Sequence, residues 1–470
     1  MSRFTTALTC ALAAAISANL AIAQSTMTPL ASFGTNGWLA PGTTSTFVTT
    51  GNTERGLAWN PTTGNLVLAS RAGGNNVRVL DGTTGADLGG FDVTGITGGT
   101  FAINMAGIGD DGAIYVSNLS TSAASNFKVY KWDSELLGPL LPPTIAYDAP
   151  SGLARTGDSF AVFGGTATSA AQFASGGSST VNNSGFVTGL LDGLNTSTPY
   201  LSIPGTTTAS NDYRLGLTFV DQSTLIGTQG ANARYTTFNG VSAAVDATIP
   251  LGTASRRAMD YAVIGGTPVL AVIDSISSIV TILDITYPAS PTVLVSATTT
   301  TAPVANANAT GSVQWGTITG NTATLYAMNT NQGIQAFSVF LQPPATAKAY
   351  GAGCGSPALA LSAVGAPILP SSIQLSTDNI PATAQIGILA LGFASIPGGA
   401  SIPTIPGCLQ YVQPLATSIF LTLGNTSVQL PQNYPNNPTY AGLSIFAQSV
   451  VVDGSTVLTS NGLRLYLETF

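Results

Sequence analysis

The sequence contains no histidine among its 470 residues. This absence excludes Ser-His-Asp and Cys-His catalysis, because both need an imidazole to accept the proton of the nucleophile. Charged residues make up only 7% of the chain, with 13 Lys and Arg against 20 Asp and Glu, and they form no basic cluster. The electrostatic footprint of a nucleic-acid-binding protein is therefore missing, and we predict no nucleic-acid partner.

Long apolar runs are missing after residue 23. No later stretch offers the roughly 20 apolar residues that a membrane helix needs, so we predict no transmembrane segment. Before that point, Arg3 is followed by an apolar run from Ala7 to Leu20 and then by Ala21-Ile22-Ala23. This order is typical of a secretory signal peptide over residues 1–23, cleaved near Ala23. We therefore expect a protein that is secreted or lies on the outer cell surface.

Cysteine is scarce, with three in the chain. Cys10 lies in the predicted signal peptide, which leaves Cys354 and Cys408 in the mature protein. An oxidising compartment and two thiols predict one disulfide. Two cysteines without a histidine make a poor metal site, because a closed zinc site needs four nitrogen or sulfur ligands. We predict no metal and no cofactor.

Turns followed by apolar strands are abundant and recur six times. The strand anchors are 44 to 65 residues apart: Leu66, Ile114, Phe160, Leu225, Val269 and Leu325. A second strand follows most anchors about ten residues later, as in Val77–Asp81 and Val280–Asp284. An apolar strand, which contains Gly in five of the six units, precedes each anchor. Four strands in each of six units predict a β-propeller over residues 24–343, with seven blades as the alternative if the long third unit hides another sheet.

The last repeat lacks a fourth strand, because the chain passes directly into Pro343-Pro344. Met27 to Phe33 is a spare strand at the other end, and its pairing with the last repeat would close the ring and protect the sheet edges. Residues 344–349 are the predicted linker. Residues 350–470 carry seven short predicted strands separated by Pro and Gly, which is typical of a small β-sandwich. The predicted fold class is all-β.

Arginines concentrate in the loops that a propeller places on one face. These loops enter the first strands or join second to third strands, and they contain Arg55, Arg71, Arg214, Arg234, Arg256 and Arg257, together with Glu54 and Asp212. Arginine binds carboxylate and sulfate groups through a planar fork of donors, so this set is the predicted site for a glycan or anionic polymer. In the alternative interpretation, the arginines pair with Glu54, Asp212 and Asp260 and tie neighbouring blades together.

The third unit contains an insertion from Gly164 to Gly185, made mostly of Gly, Ala, Ser and Thr. It is interpreted either as a cover over the channel mouth or as a plain surface loop. No catalytic residues are assigned. Ser125 and Lys128 have Ser-x-x-Lys spacing, but in a strand residues three apart point to opposite faces. Carboxylates such as Asp260 and Asp274 would suit glycoside cleavage only if two of them converge.

Two regions resemble known families. Arg55-Gly-Leu-Ala-Trp-Asn-Pro61, Thr84-Gly-Ala-Asp-Leu-Gly89 and Phe127-Lys-Val-Tyr-Lys-Trp132 are similar to motifs in a family of secreted bacterial propellers of unknown function. The tail, with Gly351-x-Gly-Cys354, Gly407-Cys408 and Thr459-Ser-Asn-Gly-Leu463, resembles a C-terminal β domain of exported bacterial proteins. The resemblance implies fold and export, and supplies no catalytic residues.

These observations favour an exported, non-enzymatic binding or scaffold protein, with the arginine-bearing face as its ligand surface and the tail domain serving surface association. The alternative is a propeller-type polysaccharide hydrolase or lyase that uses carboxylates in place of histidine.

Overall fold

The computed structural model describes residues 25–43, 45–166, 168–178, 185–206, 211–301, 304–342, 345–403, 405 and 407–468. The predicted signal peptide, with Cys10, lies outside these residues. The described chain is all-β and contains no α-helix, its only helical element being a 3-10 turn at Pro438–Tyr440. None of its helical segments has the length and apolar character needed to cross a membrane. Its contacts divide it into two units, residues 25–341 and residues 342–468.

The first unit consists of short antiparallel strands in chain order. They are β1 (Thr26–Pro29), β2 (Trp38–Leu39), β3 (Glu54–Trp59), β4 (Leu66–Ser70), β5 (Asn76–Leu80), β6 (Asp87–Gly90), β7 (Phe101–Ile108), β8 (Ile114–Leu119), β9 (Asn126–Trp132), β10 (Thr144–Pro150), β11 (Arg155–Thr156), β12 (Ala161–Phe163), β13 (Gln172–Ser178), β14 (Gly185–Leu190), β15 (Ser197–Leu201), β16 (Gly216–Asp221), β17 (Thr224–Thr228), β18 (Asn232–Phe238), β19 (Ala243–Pro250), β20 (Arg256–Ile264), β21 (Thr267–Asp274), β22 (Val280–Asp284), β23 (Thr292–Ala297), β24 (Gly311–Thr319), β25 (Thr322–Asn329) and β26 (Ile334–Phe340).

Within the described residues of this unit, the strands form six sheets, numbered here in chain order. Sheets 1, 2, 4 and 5 are simple four-stranded meanders, β3–β6, β7–β10, β16–β19 and β20–β23. Sheet 6 has the order β1-β26-β25-β24, with β2 also paired to β26. Met27 in β1 pairs with Val339 in β26, so a strand from the start of the chain completes the last sheet.

Sheet 3 departs from the sequence prediction. The repeat pattern predicts its first strand before the anchor Phe160, at residues 152–154, its second strand from Phe160 and an inserted loop over residues 164–185. Instead β11 and β12 both lie at the inner edge, and the second strand is β13, inside the expected loop. Small residues are needed there, because a Cβ on Gly176 would lie 1.7 Å from the carbonyl oxygen of Tyr213. The Gly-rich composition reflects close packing between sheets.

The first strands of successive sheets touch one another. A Cβ on Gly56 would lie 2.2 Å from the backbone nitrogen of Ala106, and one on Gly216 would lie 2.0 Å from the carbonyl oxygen of Arg257, so β3 meets β7 and β16 meets β20. Further contacts join β7 to β12, β12 to β16, β20 to β24 and β24 to β3.

The apolar cores lie between the sheets. Each of six buried clusters in this unit is shared by two neighbouring sheets; one, for example, holds Val67 and Val77 of sheet 1 with Ile114 and Tyr130 of sheet 2. The cluster between sheets 5 and 6 includes Met27. A single sheet therefore cannot bury its own apolar side chains, and each sheet depends on its neighbours, as in repeat proteins.

The second unit contains three sheets among its described residues. Its strands are β27 (Thr346–Tyr350), β28 (Ala360–Val364), β29 (Ser371–Asp378), β30 (Ile386–Gly392), β31 (Ala394–Ser401), β32 (Leu409–Gln413), β33 (Ala416–Leu421), β34 (Ser427–Tyr434), β35 (Ser444–Asp453) and β36 (Thr456–Tyr466). They are arranged as β27-β36-β35-β30-β33, β28-β29-β34 and β31-β32. The first two sheets share a core that includes Leu375 and Leu389.

Most of the predicted linker 344–349 takes part in a β-strand. Residues from Thr346 onward form β27, which pairs with β36. The Tyr350 ring covers Gly462, where a Cβ would lie 2.4 Å from the ring, so this segment is anchored by an aromatic residue on a glycine. The predicted disulfide between Cys354 and Cys408 is confirmed, with the two Cα atoms 5.2 Å apart.

Candidate functional site

The N-terminal ends of the first strands lie beside the turns between second and third strands, because each hairpin is antiparallel. Glu54 at the start of β3 pairs with Ser70 at the end of β4, and Arg256 at the start of β20 pairs with Asp274 at the end of β21. Several arginines lie along this edge of the sheets. We call the following five the arginine cluster: Arg55, Arg71, Arg155, Arg214 and Arg257.

Three members of the cluster line an open pocket of about 510 Å³. The guanidinium carbon of Arg71 lies 3.7 Å from the centre of the Phe101 ring, and that of Arg55 lies 5.9 Å from it. Arg155 lines the same pocket, together with Leu119 and with Asn52 and other polar or small residues, none of them acidic. The pocket therefore presents positive charge and one aromatic ring to solvent.

Arg71 is held in position from two sides. Its Nη1 donates to Asn104 Oδ1 at 2.9 Å, and its Nη2 donates to the carbonyl oxygen of Asn52 at 3.0 Å. Burial lowers the pKa of Arg71 to about 10, and the neighbouring charge of Arg55 contributes to this shift. Arg71 is thus still a cation at neutral pH, but with fewer water contacts than an exposed arginine, which strengthens its attraction for an anion.

Asp158 is a buried carboxylate that pairs with two arginines of the cluster. Its Oδ2 accepts hydrogen bonds from Arg155 Nε at 2.5 Å and from Arg214 Nε at 2.8 Å. Burial alone would raise the pKa of Asp158, but the bonds from these two arginines outweigh it and hold the pKa below its ordinary value. Asp158 is therefore ionised and joins sheet 3 to sheet 4.

Arg55 and Arg257 are less well satisfied. Arg55 is only 4% exposed, and its Nε has no hydrogen-bond partner among the described residues. The buried Nε and Nη1 of Arg257 likewise lack a partner there. Burial lowers the pKa of both side chains; Asp158 opposes the shift of Arg55, and Arg214 adds to the shift of Arg257. The cluster thus keeps unused N–H donors in a water-poor position.

The other predicted site residues have structural partners. Arg234 Nε lies 3.2 Å from Asp212 Oδ2, and both side chains are more than nine-tenths buried. Arg256 Nη1 donates to the carbonyl oxygen of Leu251 at 2.5 Å. The Glu54 carboxylate accepts from the backbone N–H of Asn331 at 2.9 Å and from nearby threonines. The pair of Arg234 and Asp212 thus lies within sheet 4. The bond from Arg214 to Asp158 is the one that joins two neighbouring sheets, as the alternative interpretation expects of the arginines. Arg55, Arg71, Arg214 and Arg257 lie along the same edge of the sheets.

Three residues of this site were absent from the sequence prediction: Phe101, Arg155 and Asp158. Phe101 directly follows Gly98-Gly99-Thr100 at the entrance to β7, and an aromatic residue in such a loop is a usable signal. Arg155 and Asp158 were hidden by the shifted strands of the third unit, which assigned them to the opposite edge of the sheet. With β11 and β12 in their observed places, Arg155 belongs to the cluster and Asp158 pairs with two of its members.

One further carboxylate lies deeper between the first strands. Asp260 lines a cavity of about 140 Å³ together with Trp59, Thr218 and Gln314. Burial raises the pKa of Asp260 to about 6, although three hydrogen bonds to its carboxylate oppose the shift. Asp274, also predicted as a candidate, accepts from Ser255 Oγ at 2.5 Å. Among the described residues, no group of three or more acidic, Cys or His side chains is placed to hold a metal ion.

Comparison with solved structures gives several distant similarities. A DUF4623 family protein from Bacteroides eggerthii is 17% identical, with a TM-score of 0.46 over 63% of this chain and 72% of that one. A gluconolactonase from Xanthomonas campestris is 12% identical, with a TM-score of 0.37 over 62% and 86%. The major allergen Mala s 1 of Malassezia sympodialis is 12% identical, with a TM-score of 0.39 over 63% and 95%.

Among curated proteins, no sequence matches this chain. A family model does match residues 41–184, which hold sheets 1 and 2 and the start of sheet 3. It describes a domain of unknown function, DUF4623. The match covers less than a third of the chain and includes Arg55, Arg71, Phe101, Arg155 and Asp158. Over these residues, the chain is similar to the DUF4623 family of unknown function.

Proposed function

We propose that this chain is an exported, non-enzymatic binding protein and that its arginine cluster binds an anionic polymer, a glycan that carries acidic groups. The observation that carries the proposal is the open pocket of about 510 Å³, which Arg55, Arg71, Arg155 and Phe101 line together and in which no lining residue is acidic. Guanidinium groups bind carboxylates and sulfates through paired hydrogen bonds. An aromatic ring adds an apolar surface for a sugar or polymer backbone.

The proposal includes a ring-shaped first unit. We infer that sheets 1 to 6 are the blades of a six-bladed β-propeller, and that β1 closes it by pairing with β26 in the last blade. The contacts between successive first strands, including the bond from the backbone N–H of Leu57 to Ser312 Oγ at 3.0 Å between sheets 1 and 6, support this arrangement. In such a ring, the arginine cluster surrounds one end of the central channel.

Export is part of the same proposal. The N-terminal sequence pattern of residues 1–23 and the single disulfide both favour an oxidising compartment outside the cytoplasm. A chain with only 7% charged residues leaves the arginine cluster as an unusual concentration of positive charge on a weakly charged protein. Such a patch attracts polyanions selectively, because few competing charges surround it. The tail unit is proposed to serve association with the cell surface.

The surroundings of the carboxylates support binding over hydrolysis. Glycoside cleavage needs two carboxyl groups about 5 to 10 Å apart on either side of the bond. Asp158 is bound to two arginines, Asp212 to Arg234, and Glu54 to hydroxyl and backbone donors. Asp260 accepts from two backbone N–H groups and Thr218. These partners occupy the carboxylates that a hydrolase would need.

The test is a binding assay with the mature protein, residues 24–470, against immobilised anionic and neutral polysaccharides. We expect retention on polyuronates or sulfated glycans and none on dextran, with affinity falling steeply between 50 and about 300 mM salt, because the contacts are electrostatic. Arg71→Gln should weaken binding by about tenfold or more, the cost of one lost charge-assisted contact.

Arg464→Gln is the matched control, because Arg464 is an exposed arginine in the second unit that donates to Ser444 and is remote in sequence from the cluster. It should bind as the wild type does. Equal binding to anionic polymers and dextran, or equal loss in Arg71→Gln and Arg464→Gln, would show that the cluster is not the ligand site.

A further inference from the structure

Unpartnered donors in the arginine cluster indicate a missing anion. The Nε of Arg55 and the Nε and Nη1 of Arg257 are buried without an acceptor among the described residues. A buried charged donor without a partner costs more free energy than a buried neutral donor without one. The nearby carboxylates do not meet this need, because Asp158 is bound by Arg155 and Arg214. A ligand acceptor at this place would remove the cost.

Asp274 is similarly occupied. Its charge is near enough to Arg257 to affect the pKa of that arginine. Its oxygens, however, accept from Ser255 Oγ and from the backbone N–H groups of Ile276 and Ser277. In the described part of the chain, the buried Nε and Nη1 of Arg257 donate to no carboxylate. The charge of Arg257 is thus available for a bound group.

Two unpartnered acceptors lie at the edge of sheet 4 that carries Arg214. The buried Asn211 Oδ1 and Gln229 Oε1 have no donor among the described residues. Asn211 belongs to the turn that positions Arg214, since its carbonyl oxygen accepts from the backbone N–H of Arg214 at 2.9 Å. Gln229 follows Thr228, the residue that pairs with Gly216. Gly216 is the residue that packs against Arg257, so both amides belong to the Arg214–Arg257 side of the cluster.

We propose that this inner side of the cluster binds a hydroxylated carboxylate, of the kind present in a uronic acid unit. The carboxylate accepts from Arg257, with Arg55 adding positive charge, and hydroxyl groups of the same ligand donate to Asn211 and Gln229. This assignment rests on the proposed function, because it names the repeating unit of the anionic polymer. Free donors and free acceptors together favour such a ligand over a simple anion, which has no hydrogen to donate.

The test is calorimetric titration of the mature protein with sodium glucuronate, sodium acetate, sodium sulfate and glucose at constant ionic strength. We expect glucuronate to bind at least tenfold more tightly than acetate or sulfate, and glucose to give no measurable heat. Arg257→Gln should abolish glucuronate binding. Gln229→Met, which keeps the side-chain volume and removes the acceptor, should reduce the advantage of glucuronate over acetate about fivefold while leaving acetate affinity unchanged.

Arg464→Gln is again the control, and circular dichroism confirms that each variant is folded. Equal affinities for acetate and glucuronate, or an unchanged ratio in Gln229→Met, would overturn the proposal. A competition assay separates it from the proposed function. If the protein binds an anionic polymer through Arg71 but glucuronate does not displace that polymer, the uronic acid assignment is wrong and the polymer-binding function stands. If glucuronate binds and no polymer does, the uronic acid site stands as a site for a small ligand and the polymer-binding function is wrong.

Discussion

At the scale of single residues, Asp260 joins three sheets of the first unit. Its carboxylate belongs to sheet 5 and accepts from Thr218 Oγ1 of sheet 4 at 2.9 Å and from the backbone N–H of Trp315 in sheet 6 at 2.8 Å. Trp315 Nε1 also donates to the carbonyl oxygen of Asp260 at 3.2 Å. The bonds compensate only part of the cost of burying a charge, as the pKa of about 6 indicates.

This raised pKa predicts a pH-dependent stability. The folded state holds the proton of Asp260 more tightly than the unfolded state, whose pKa is near the ordinary 3.8. The stabilising contribution is therefore fully present below about pH 4 and is lost as the pH rises through about 6. Between pH 4 and 7 the wild type should lose about 2 to 3 kcal/mol relative to Asp260→Asn, which does not titrate.

Denaturant unfolding of both proteins at several pH values measures this difference. Asp260→Asn also loses one acceptor oxygen, which shifts its stability by a constant amount and leaves the slope with pH informative. Asp246→Asn, at an exposed carboxylate of β19, serves as the control and should parallel the wild type. Parallel curves for wild type and Asp260→Asn would show that Asp260 does not titrate in this range.

At the scale of strands, sequence predicted strand positions correctly where apolar and polar residues alternate. It failed where close packing between sheets needs small side chains. Val280–Asp284 was expected from its alternation and coincides with β22. β13 was missed, because its sequence Gln-Phe-Ala-Ser-Gly-Gly-Ser has few β-branched residues. Its glycines are explained by contact with the neighbouring sheet, as at Gly176 against Tyr213, and a contact between sheets leaves no periodic signal in one strand.

The wrong strand order predicted for sheet 3 also limited prediction of the site. Arg55, Arg71, Arg214 and Arg257 could be assigned to one edge, because they flank strands with clear alternation. Arg155 could not, because its position depends on the strand order of sheet 3. The pairing of Arg234 with Asp212 also needed the structure, since sequence gives neither the direction of a side chain nor its distance from a partner.

Strand β1 provides a test of the arrangement of sheet 6. Met27 is 7% exposed and packs in the core between sheets 5 and 6, whereas Thr28 on the other face of β1 is exposed. Met27→Asp should destabilise the protein by about 3 kcal/mol or more, because it removes apolar burial and introduces a buried charge. Thr28→Asp should cost less than about 1 kcal/mol.

Chemical denaturation followed by tryptophan fluorescence measures both variants. All four tryptophans, Trp38, Trp59, Trp132 and Trp315, lie in the first unit, so the signal reports its unfolding directly. Similar costs for Met27→Asp and Thr28→Asp would mean that β1 does not complete the last sheet in solution. That result would also remove the proposed closure of the ring.

At the scale of the whole molecule, the two units have separate apolar cores. The six clusters of the first unit contain residues between Met27 and Leu341, and the two clusters of the second contain residues between Leu359 and Leu465. The disulfide connects two positions of the second unit that are 54 residues apart in the chain. In the loop-entropy description, closing a loop of this length stabilises the folded state by about 4 kcal/mol.

Removal of the disulfide should therefore act on one unit. The double variant Cys354→Ser, Cys408→Ser should lower the unfolding transition of residues 342–470 by about 4 kcal/mol, seen in tyrosine fluorescence or circular dichroism, and leave the tryptophan transition of the first unit unchanged. Because the arginine cluster lies entirely in residues 55–257, polymer binding by this variant should equal that of the wild type. A parallel shift of the tryptophan transition would instead mean that the two cores unfold as one cooperative structure, and the second unit would then contribute directly to the stability of the binding site.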